Sequence, residues 1–359
     1  MAGSRLSTIQ IVKKSLLFYT KNHHVTSPSR NVSSTGNVAH ARGPPLPNTG
    51  CMPWTHRPYR DEQDFHLLIS SLSACNGARP DLGYLQPGDL TWWTRQNTVF
   101  DPCAEIELFE NAAGELLGFV FTDTPGWAVV QAIPDAHADL LWAMLDLAED
   151  KAQTPAVPLV VRAFGADSAL VSALVARGYV AGDRSTPRFE IRPGQAVPVP
   201  ELPAGFSVVS VGNTPEQLRA RTELHRAVWH PSRVTLPAYL HLRTSPTYTP
   251  ELDMVLAAPN GDLAAYLLGW NDPATRMGVL EPVGTHQDYR QQGLARLLVL
   301  AALQRFAELG AERVYVCTSE SNVAAVRLYT SCGFVVTGRY FDYQCLGDQH
   351  HGDRAGVQT

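Results

Sequence analysis

The sequence has little lysine, no paired cysteines and no long apolar run. Four lysines occur among 359 residues, three of them in the first 51, and the six cysteines form no CxxC pair. Without such pairs a zinc site is not expected, and unpaired cysteines in a chain of this length are typical of a reduced, cytoplasmic protein. No apolar stretch approaches the roughly 18–20 residues of a membrane-spanning helix, so we expect no membrane segment.

Charge is unevenly distributed along the chain. The first 51 residues contain six basic residues and no acidic one, whereas the net charge of the whole chain is −5. The remaining 308 residues therefore carry −11, which makes them a poor partner for the phosphate backbone of a nucleic acid. A composition of 45% hydrophobic and 18% charged residues is typical of a globular protein. We expect no nucleic-acid partner and no metal.

The predicted strands and helices form two similar series. A proline-rich segment, 194–205, separates a first series at 52–193 from a second at 206–345. The end of the first series, 167–179, matches 322–334 at an offset of 155 residues: each begins with Asp or Asn and ends with Gly followed by an aromatic residue. A repeat at this scale predicts two copies of one α/β domain joined by a linker.

The two ends of the chain lie outside this repeat. Residues 1–51 are rich in Ser, Asn, His, Gly and Pro, and their short apolar piece lacks the cleavage site of a secretory signal. Two interpretations of this basic head stay open: an organelle transit segment, or upstream sequence preceding a true start at Met52. We expect little fixed structure there and a flexible tail at 346–359.

The most specific motif is R-x-x-G-x-A at 290–295, between a predicted strand and a predicted helix. The N-terminus of a helix has unpaired N–H groups and a partial positive charge, which favour a phosphate or pyrophosphate. Gly293 and Ala295 allow close approach to the main chain, and Arg290 and Arg296 add charge at the rim. Taken alone, the motif also fits an ordinary turn before a helix.

The surroundings of this motif resemble the GNAT superfamily of N-acetyltransferases. The helix and the next strand are followed by N-x-x-A-x-x-x-Y at 322–329 and by Gly333-Phe334, as in that family. The resemblance covers about 206–345, and the segment 281–285 is similar to that of tandem-domain, mycothiol synthase-like members. Gln287 departs from the proline of many members. The resemblance implies an α/β fold with a mixed sheet, in two tandem copies of which the first is degenerate.

The resemblance also implies acetyl-CoA as the acyl donor and the residues that hold it. Main-chain groups of Val283, Gly284 and Thr285 would pair with the pantetheine arm as an added strand would. Asn322 would contact the cofactor or only cap its helix, and both interpretations stay open. The pyrophosphate would be held by N–H groups of Gln291, Gln292, Gly293, Leu294, Ala295 and Arg296, with Arg290 nearby.

Acetyl transfer to an amine requires a base and an acid. A primary amine is protonated at neutral pH, and a positioned base accelerates such a reaction by ~10²–10⁴-fold. Glu281 is the candidate base, because a carboxylate in an apolar strand needs a specific reason to be there; a structural ion pair is the alternative. Pro282 can introduce a bulge beside it. Tyr329 stands where the family has the acid that protonates the thiolate, with packing on the CoA arm as the alternative.

The first copy lacks both the phosphate-binding motif and the tyrosine acid. No R-x-x-G-x-A precedes its helix near residue 138, and Leu174 stands at the 155-residue offset from Tyr329. We therefore expect this half to support the acceptor site or the domain interface. Side chains that could line an acceptor pocket are Trp229, His230, Asp253 and Trp270.

Two functions agree with these features. The first is a cytoplasmic N-acetyltransferase that moves an acetyl group from acetyl-CoA to a small-molecule amine in the second copy. The alternative is a catalytically lapsed acyl-CoA-binding or sensor protein, which intact Glu281 and Tyr329 disfavour. A Rossmann-type nucleotide-binding protein is not supported, because no G-x-G-x-x-G follows a first strand.

Overall fold

The computed structural model describes residues 53–345 except 124–125, 135–137, 153–157, 196–197 and 199–200. The predictions for the head at 1–51 and for the tail at 346–359 lie outside the described residues.

Twelve strands of the described residues form one mixed sheet, which confirms the predicted α/β class. The strands are β1 (Trp54–Pro58), β2 (Ile106–Asn111), β3 (Leu116–Asp123), β4 (Trp127–Ala132), β5 (Val160–Phe164), β6 (Tyr179–Ile191), β7 (Ser207–Ser210), β8 (Tyr248–Ala257), β9 (Leu263–Asp272), β10 (Met277–Thr285), β11 (Arg313–Cys317) and β12 (Val335–Cys345). Their order across the sheet is β1-β2-β3-β4-β5-β12-β6-β11-β10-β9-β8-β7. The pairs β4–β5 and β10–β11 are parallel.

Helices cover both faces of this sheet. Within the described residues they are α1 (Glu62–Ala78), α2 (Pro87–Arg95), α3 (Pro102–Glu105), α4 (Ala138–Lys151), α5 (Ser168–Ala176), α6 (Pro215–Val228), α7 (Leu236–Leu242), α8 (Leu294–Glu308) and α9 (Val323–Ser331). The helix predicted after the R-x-x-G-x-A motif is α8, and Asn322 of the 322–329 motif caps α9. The sequence patterns did not indicate the strand β1 or the helices α2 and α7.

The two halves exchange their last strands. The strand β6 ends the first half, yet it pairs with β11 of the second, as in Val316↔Phe189. The strand β12 ends the second half and pairs with β5 of the first, as in Tyr343↔Val161, as well as with β6. Each half of the sheet is thus completed by a strand from the other, an arrangement that the tandem repeat did not predict.

The exchange extends into the hydrophobic cores. Phe189 and Ile191 of β6 are buried in the core around α8, and Tyr343 of β12 is buried in the core around α4. Burial of an aromatic or aliphatic side chain contributes about 1.5–3 kcal/mol relative to exposure. Each core therefore depends on side chains of the other half.

Helix α2 of the first half packs on the sheet of the second. Trp92 shares a buried cluster with Trp270, Met277 and other residues of the second half. The packing is close: a Cβ atom on Gly88 would lie 2.2 Å from Cβ of Trp270. Pro87 at the first turn and the capping box between Gln86 and Asp89 begin this helix. Its placement brings first-half side chains beside β10.

Candidate active site

Strands β10 and β11 diverge and leave a V-shaped opening. Their parallel pairing ends at Val279↔Tyr315, whereas β10 continues to Thr285. Beyond Leu280, β10 pairs only with β9, and the register shifts between Leu280 and Val283, which confirms the predicted bulge at Pro282. Among the described strands none pairs with the other edge of Val283–Thr285, so that edge can pair with an extended ligand.

The N-terminus of α8 lies at one end of this opening. Gln291 and Gly293 have left-handed backbone conformations, with φ of 63° and 76°, and a Cβ atom on Gly293 would meet nothing within 4 Å. In the described part of the chain, the N–H groups of residues 291–295 have no acceptor, whereas those of Arg296 and Leu297 bond to the carbonyl of Gly293 at 3.0 and 3.3 Å. Unpaired N–H groups at a helix N-terminus form an anion site.

One groove of about 930 Å³ joins this helix N-terminus to the diverging strands. Val228 and Trp229 also line it. The predicted site residues that line it are Glu281, Val283, Gly284, Thr285, Arg290, Gln291, Gly293, Leu294, Ala295, Arg296, Asn322 and Tyr329. Gln292 is not among the lining residues, and its side chain donates to the carbonyl of Asp288 at 3.4 Å.

Glu281 lies on the bulge, next to side chains from the first half. The indole N–H of Trp93 donates to its Oε1 at 3.4 Å, and that of Trp270 donates to its main-chain carbonyl at 2.7 Å. Burial, and then the neighbouring Asp89 carboxylate, raise the pKa of Glu281 well above its usual value. The sequence did not identify Asp89 and Trp93; the Q-P-x-D capping pattern signals their helix but not the strand that it faces.

Tyr329 faces the groove from α9. Its ring packs at 6.1 Å from Phe189 and 5.7 Å from Phe334, measured between ring centroids. Burial raises the pKa of its hydroxyl, so the phenol holds its proton at neutral pH. No hydrogen bond engages this hydroxyl within the described residues, and it is therefore able to donate to a ligand.

Three further predicted residues have partners at the rim of the groove. Asn322 caps α9 by accepting from the N–H of Ala325 at 3.3 Å, in agreement with the capping interpretation. The guanidinium of Arg296 donates to the carbonyl of Ser331 at 3.3 Å, and that of Arg290 to the carbonyl of Thr285 at 3.2 Å. Both guanidinium groups lie beside the N-terminus of α8.

The four residues suggested for an acceptor pocket divide into two groups. Trp229 lines the groove, and Trp270 lies buried beneath Glu281. Asp253 is fully buried in an ion pair with Arg221 at 3.0 Å and does not line the groove. His230 is exposed and is not a lining residue either.

The corresponding opening in the first half is occupied by the chain itself. Parallel pairing of β4 and β5 ends at Val129↔Arg162, and Gln131 stands two residues beyond Val129, as Glu281 stands two beyond Val279. Its side chain accepts from the N–H of Leu85 at 3.1 Å and donates to the carbonyl of Gly83 at 3.5 Å.

Segment 82–85 thus bridges the two diverging strands of the first half. Gly83 lies against the ring of Phe164 on β5, so closely that a Cβ atom would be 2.3 Å from it, and the cavity that remains measures about 40 Å³. Leu174, at the offset from Tyr329, is fully buried. The predicted lack of a phosphate motif concerns residues 135–137, which lie outside the described residues.

Residues 218–334, within the second half of the chain, match the model of the acetyltransferase (GNAT) family. The curated proteins gave no match.

Solved structures that cover about four fifths of this chain share its fold. A tandem GNAT protein from the clavulanic acid biosynthesis pathway has 16% identity and a TM-score of 0.57, over 81% of this chain and 97% of that chain. A GCN5-related N-acetyltransferase from Sphaerobacter thermophilus has 20% identity and a TM-score of 0.56, over 82% and 96%. A GNAT-family acetyltransferase from Colwellia psychrerythraea has 15% identity and a TM-score of 0.56, over 81% and 99%.

The described residues contain no group of three or more His, Cys, Asp and Glu side chains placed to hold a metal ion. None of their helices combines the length and the apolar character needed to cross a membrane.

Proposed function

We propose that this protein is an N-acetyltransferase that moves the acetyl group of acetyl-CoA to a primary amine of a small molecule. The reaction takes place in the second half, by direct attack of the amine. One observation carries the proposal: a single groove joins unpaired N–H groups at a helix N-terminus, an open strand edge, a half-buried carboxyl group and a neutral phenol.

The groove suits the chemistry of acetyl-CoA. N–H groups of 291–295 would hold the pyrophosphate, and the positive charges of Arg290 and Arg296 would add to the attraction. The open edge at Val283–Thr285 would pair with the amide groups of the pantetheine arm. The space beside Gly293 leaves room for the pyrophosphate, because a Cβ atom there would meet nothing within 4 Å.

The side chains account for both proton transfers. Acetyl-CoA supplies a thioester carbonyl carbon, which forms a C–N bond with the amine as the C–S bond breaks. Glu281 accepts the proton that the nitrogen loses, and Tyr329 gives its own proton to the departing sulfur. Main-chain N–H groups near Gly284 would stabilise the oxyanion. The products are an amide and free CoA, and both side chains recover their protonation through solvent.

The acceptor would lie on the Glu281 side of the opening, beside Trp229, which lines the groove. Indole rings favour cationic and apolar groups over anions. A small amine therefore suits this position better than a nucleic acid or a highly anionic partner.

The proposal is tested by supplying acetyl-CoA with a panel of small amines and measuring release of the free thiol. Mass spectrometry then identifies the acetylated product. We expect at least one amine to be acetylated at its nitrogen. Tight binding of acetyl-CoA without transfer to any amine would instead support the lapsed, acyl-CoA-binding alternative.

A further inference from the structure

A second carboxyl group, from the first half, lies beside Glu281. Asp89 is on α2 and is buried, with an exposed fraction of 6%. Its Oδ2 accepts from the main-chain N–H of Gln86 at 3.1 Å and from the hydroxyl of Tyr315 on β11. Trp93, one turn after Asp89 on α2, donates to Glu281 at 3.4 Å, and Tyr315 pairs with Val279, two residues before Glu281. The Asp89 carboxyl therefore lies beside that of Glu281 and raises its pKa, and two carboxyl groups so placed do not both ionise readily.

We propose that Asp89 is a positioning residue that completes the base: it carries the fixed negative charge, while Glu281 holds and releases the exchangeable proton. The proposal extends the function above, since it assigns to the first half a part in the chemistry of the second.

The hydrogen bonds decide which carboxyl group is the anion. Asp89 receives two donors, the Gln86 N–H and the Tyr315 hydroxyl, and the Arg188 guanidinium also favours its charged form. Glu281 receives a single, long bond from Trp93. Burial raises the pKa of both carboxyl groups, and more so that of Glu281. Donors stabilise the charged form of a carboxyl group, so in the proposed pair the negative charge lies on Asp89 and the proton on Glu281.

Of the charged groups around Glu281, Asp89 has the largest effect on its pKa. The cation that acts most on Glu281 among the described residues is Arg162 of β5, which is paired with Asp342 at 2.7 and 2.9 Å. Burial and the Asp89 charge both raise the pKa of Glu281. The titratable groups that face the pair from the neighbouring elements are Arg162 on β5, Arg188 on β6, Tyr315 and Cys317 on β11, Tyr329 on α9 and Tyr340 on β12.

The pairing gives the base a pH dependence of known sign. Glu281 accepts a proton only when it is ionised, so activity should fall as pH falls through its raised pKa. Removal of the Asp89 charge would lower that pKa and move the acid limb of the profile to lower pH. Removal of the Tyr315 hydroxyl would destabilise the Asp89 anion, so the pair would hold its proton more tightly and the limb would move to higher pH.

The test uses the full chain and two readouts. The first is the ionisation of Glu281 without any substrate, followed by pH-difference infrared spectroscopy of the carboxyl groups and assigned by its loss in Glu281→Gln. The second is the pH profile of kcat/KM with an amine that is acetylated. Asp89→Asn should lower both midpoints by at least about 1 pH unit, and Tyr315→Phe should raise them. Asp167→Asn is the matched control: it neutralises a half-buried carboxyl group at a helix cap that Asn also supports, and neither midpoint should move.

The outcomes separate this inference from the proposed function. A folded Asp89→Asn variant with an unmoved Glu281 ionisation would overturn the pair, as would equal downward shifts in Asp89→Asn and Tyr315→Phe. If Asp89→Asn does not fold, an unmoved midpoint in Tyr315→Phe would overturn it alone. Shifts in the infrared titration without acetylation of any amine would support the pair and contradict the enzyme.

Discussion

The two halves share one strand arrangement and differ in what occupies the opening between the diverging strands. In both, a parallel pair of strands diverges after three paired positions. In the second half the opening is a groove lined by Glu281 and Tyr329; in the first, segment 82–85 fills it, held by Gln131. The difference indicates that a GNAT-type fold loses its ligand site when its own chain takes the place of the ligand.

The first half nevertheless remains coupled to the chemistry. Its helix α2 lies against β10 and brings Asp89 and Trp93 to Glu281. The proposed function therefore assigns binding of the donor to the second half and preparation of the base to both halves.

The largest expected effect comes from the base. Glu281→Gln keeps the size of the side chain but removes its capacity to accept a proton, so kcat should fall by ~10²–10⁴-fold while the Kd for acetyl-CoA stays the same. Steady-state kinetics and equilibrium binding measure the two quantities. Equal losses in both would contradict the assignment.

A second variant challenges the comparison directly. The double variant Glu281→Gln/Gln131→Glu places a carboxylate at the matching position of the first half. It should remain as inactive as Glu281→Gln, because segment 82–85 occupies that opening. Recovery of activity would mean that the first half keeps a working site.

The exchanged strands predict a large effect on stability. Phe189→Ala removes a buried ring that β6 inserts into the core of the second half, and should lower the free energy of unfolding by ~3–5 kcal/mol. Because each sheet is completed by the other half, we expect one denaturant transition by both fluorescence and circular dichroism. Val180→Ala, on the same strand but 51% exposed, should change stability by less than ~0.5 kcal/mol. Two separate transitions would contradict the coupling.

Donor binding is tested at the N-terminus of α8. Gly293→Glu places a carboxylate beside the unpaired N–H groups and should weaken acetyl-CoA binding by about 100-fold or more, equivalent to ~3 kcal/mol. Gly114→Glu is the matched control in the first half, since Gly114 also has a positive φ, of 78°, and open space around it. Both variants carry the same backbone strain, so similar affinities in the two would refute the anion site.

Local sequence patterns predicted the parts of the site that lie close together along the chain. The motif at 290–296 lies at the start of α8, and Asn322 caps α9. Both could be predicted because helix capping and the conformational preference of glycine depend on neighbours within a few residues. The strand exchange and the approach of Asp89 to Tyr315, 226 residues apart, depend on tertiary packing. The catalytic roles of Glu281 and Tyr329 stay predictions.

The number of acetyl-CoA molecules bound per chain tests the central claim most directly. Isothermal titration calorimetry of the full chain should give one site, which Gly293→Glu eliminates and the double variant Glu281→Gln/Gln131→Glu preserves. Two sites in the full chain, or one site that survives Gly293→Glu, would contradict the assignment of the donor to the second half alone.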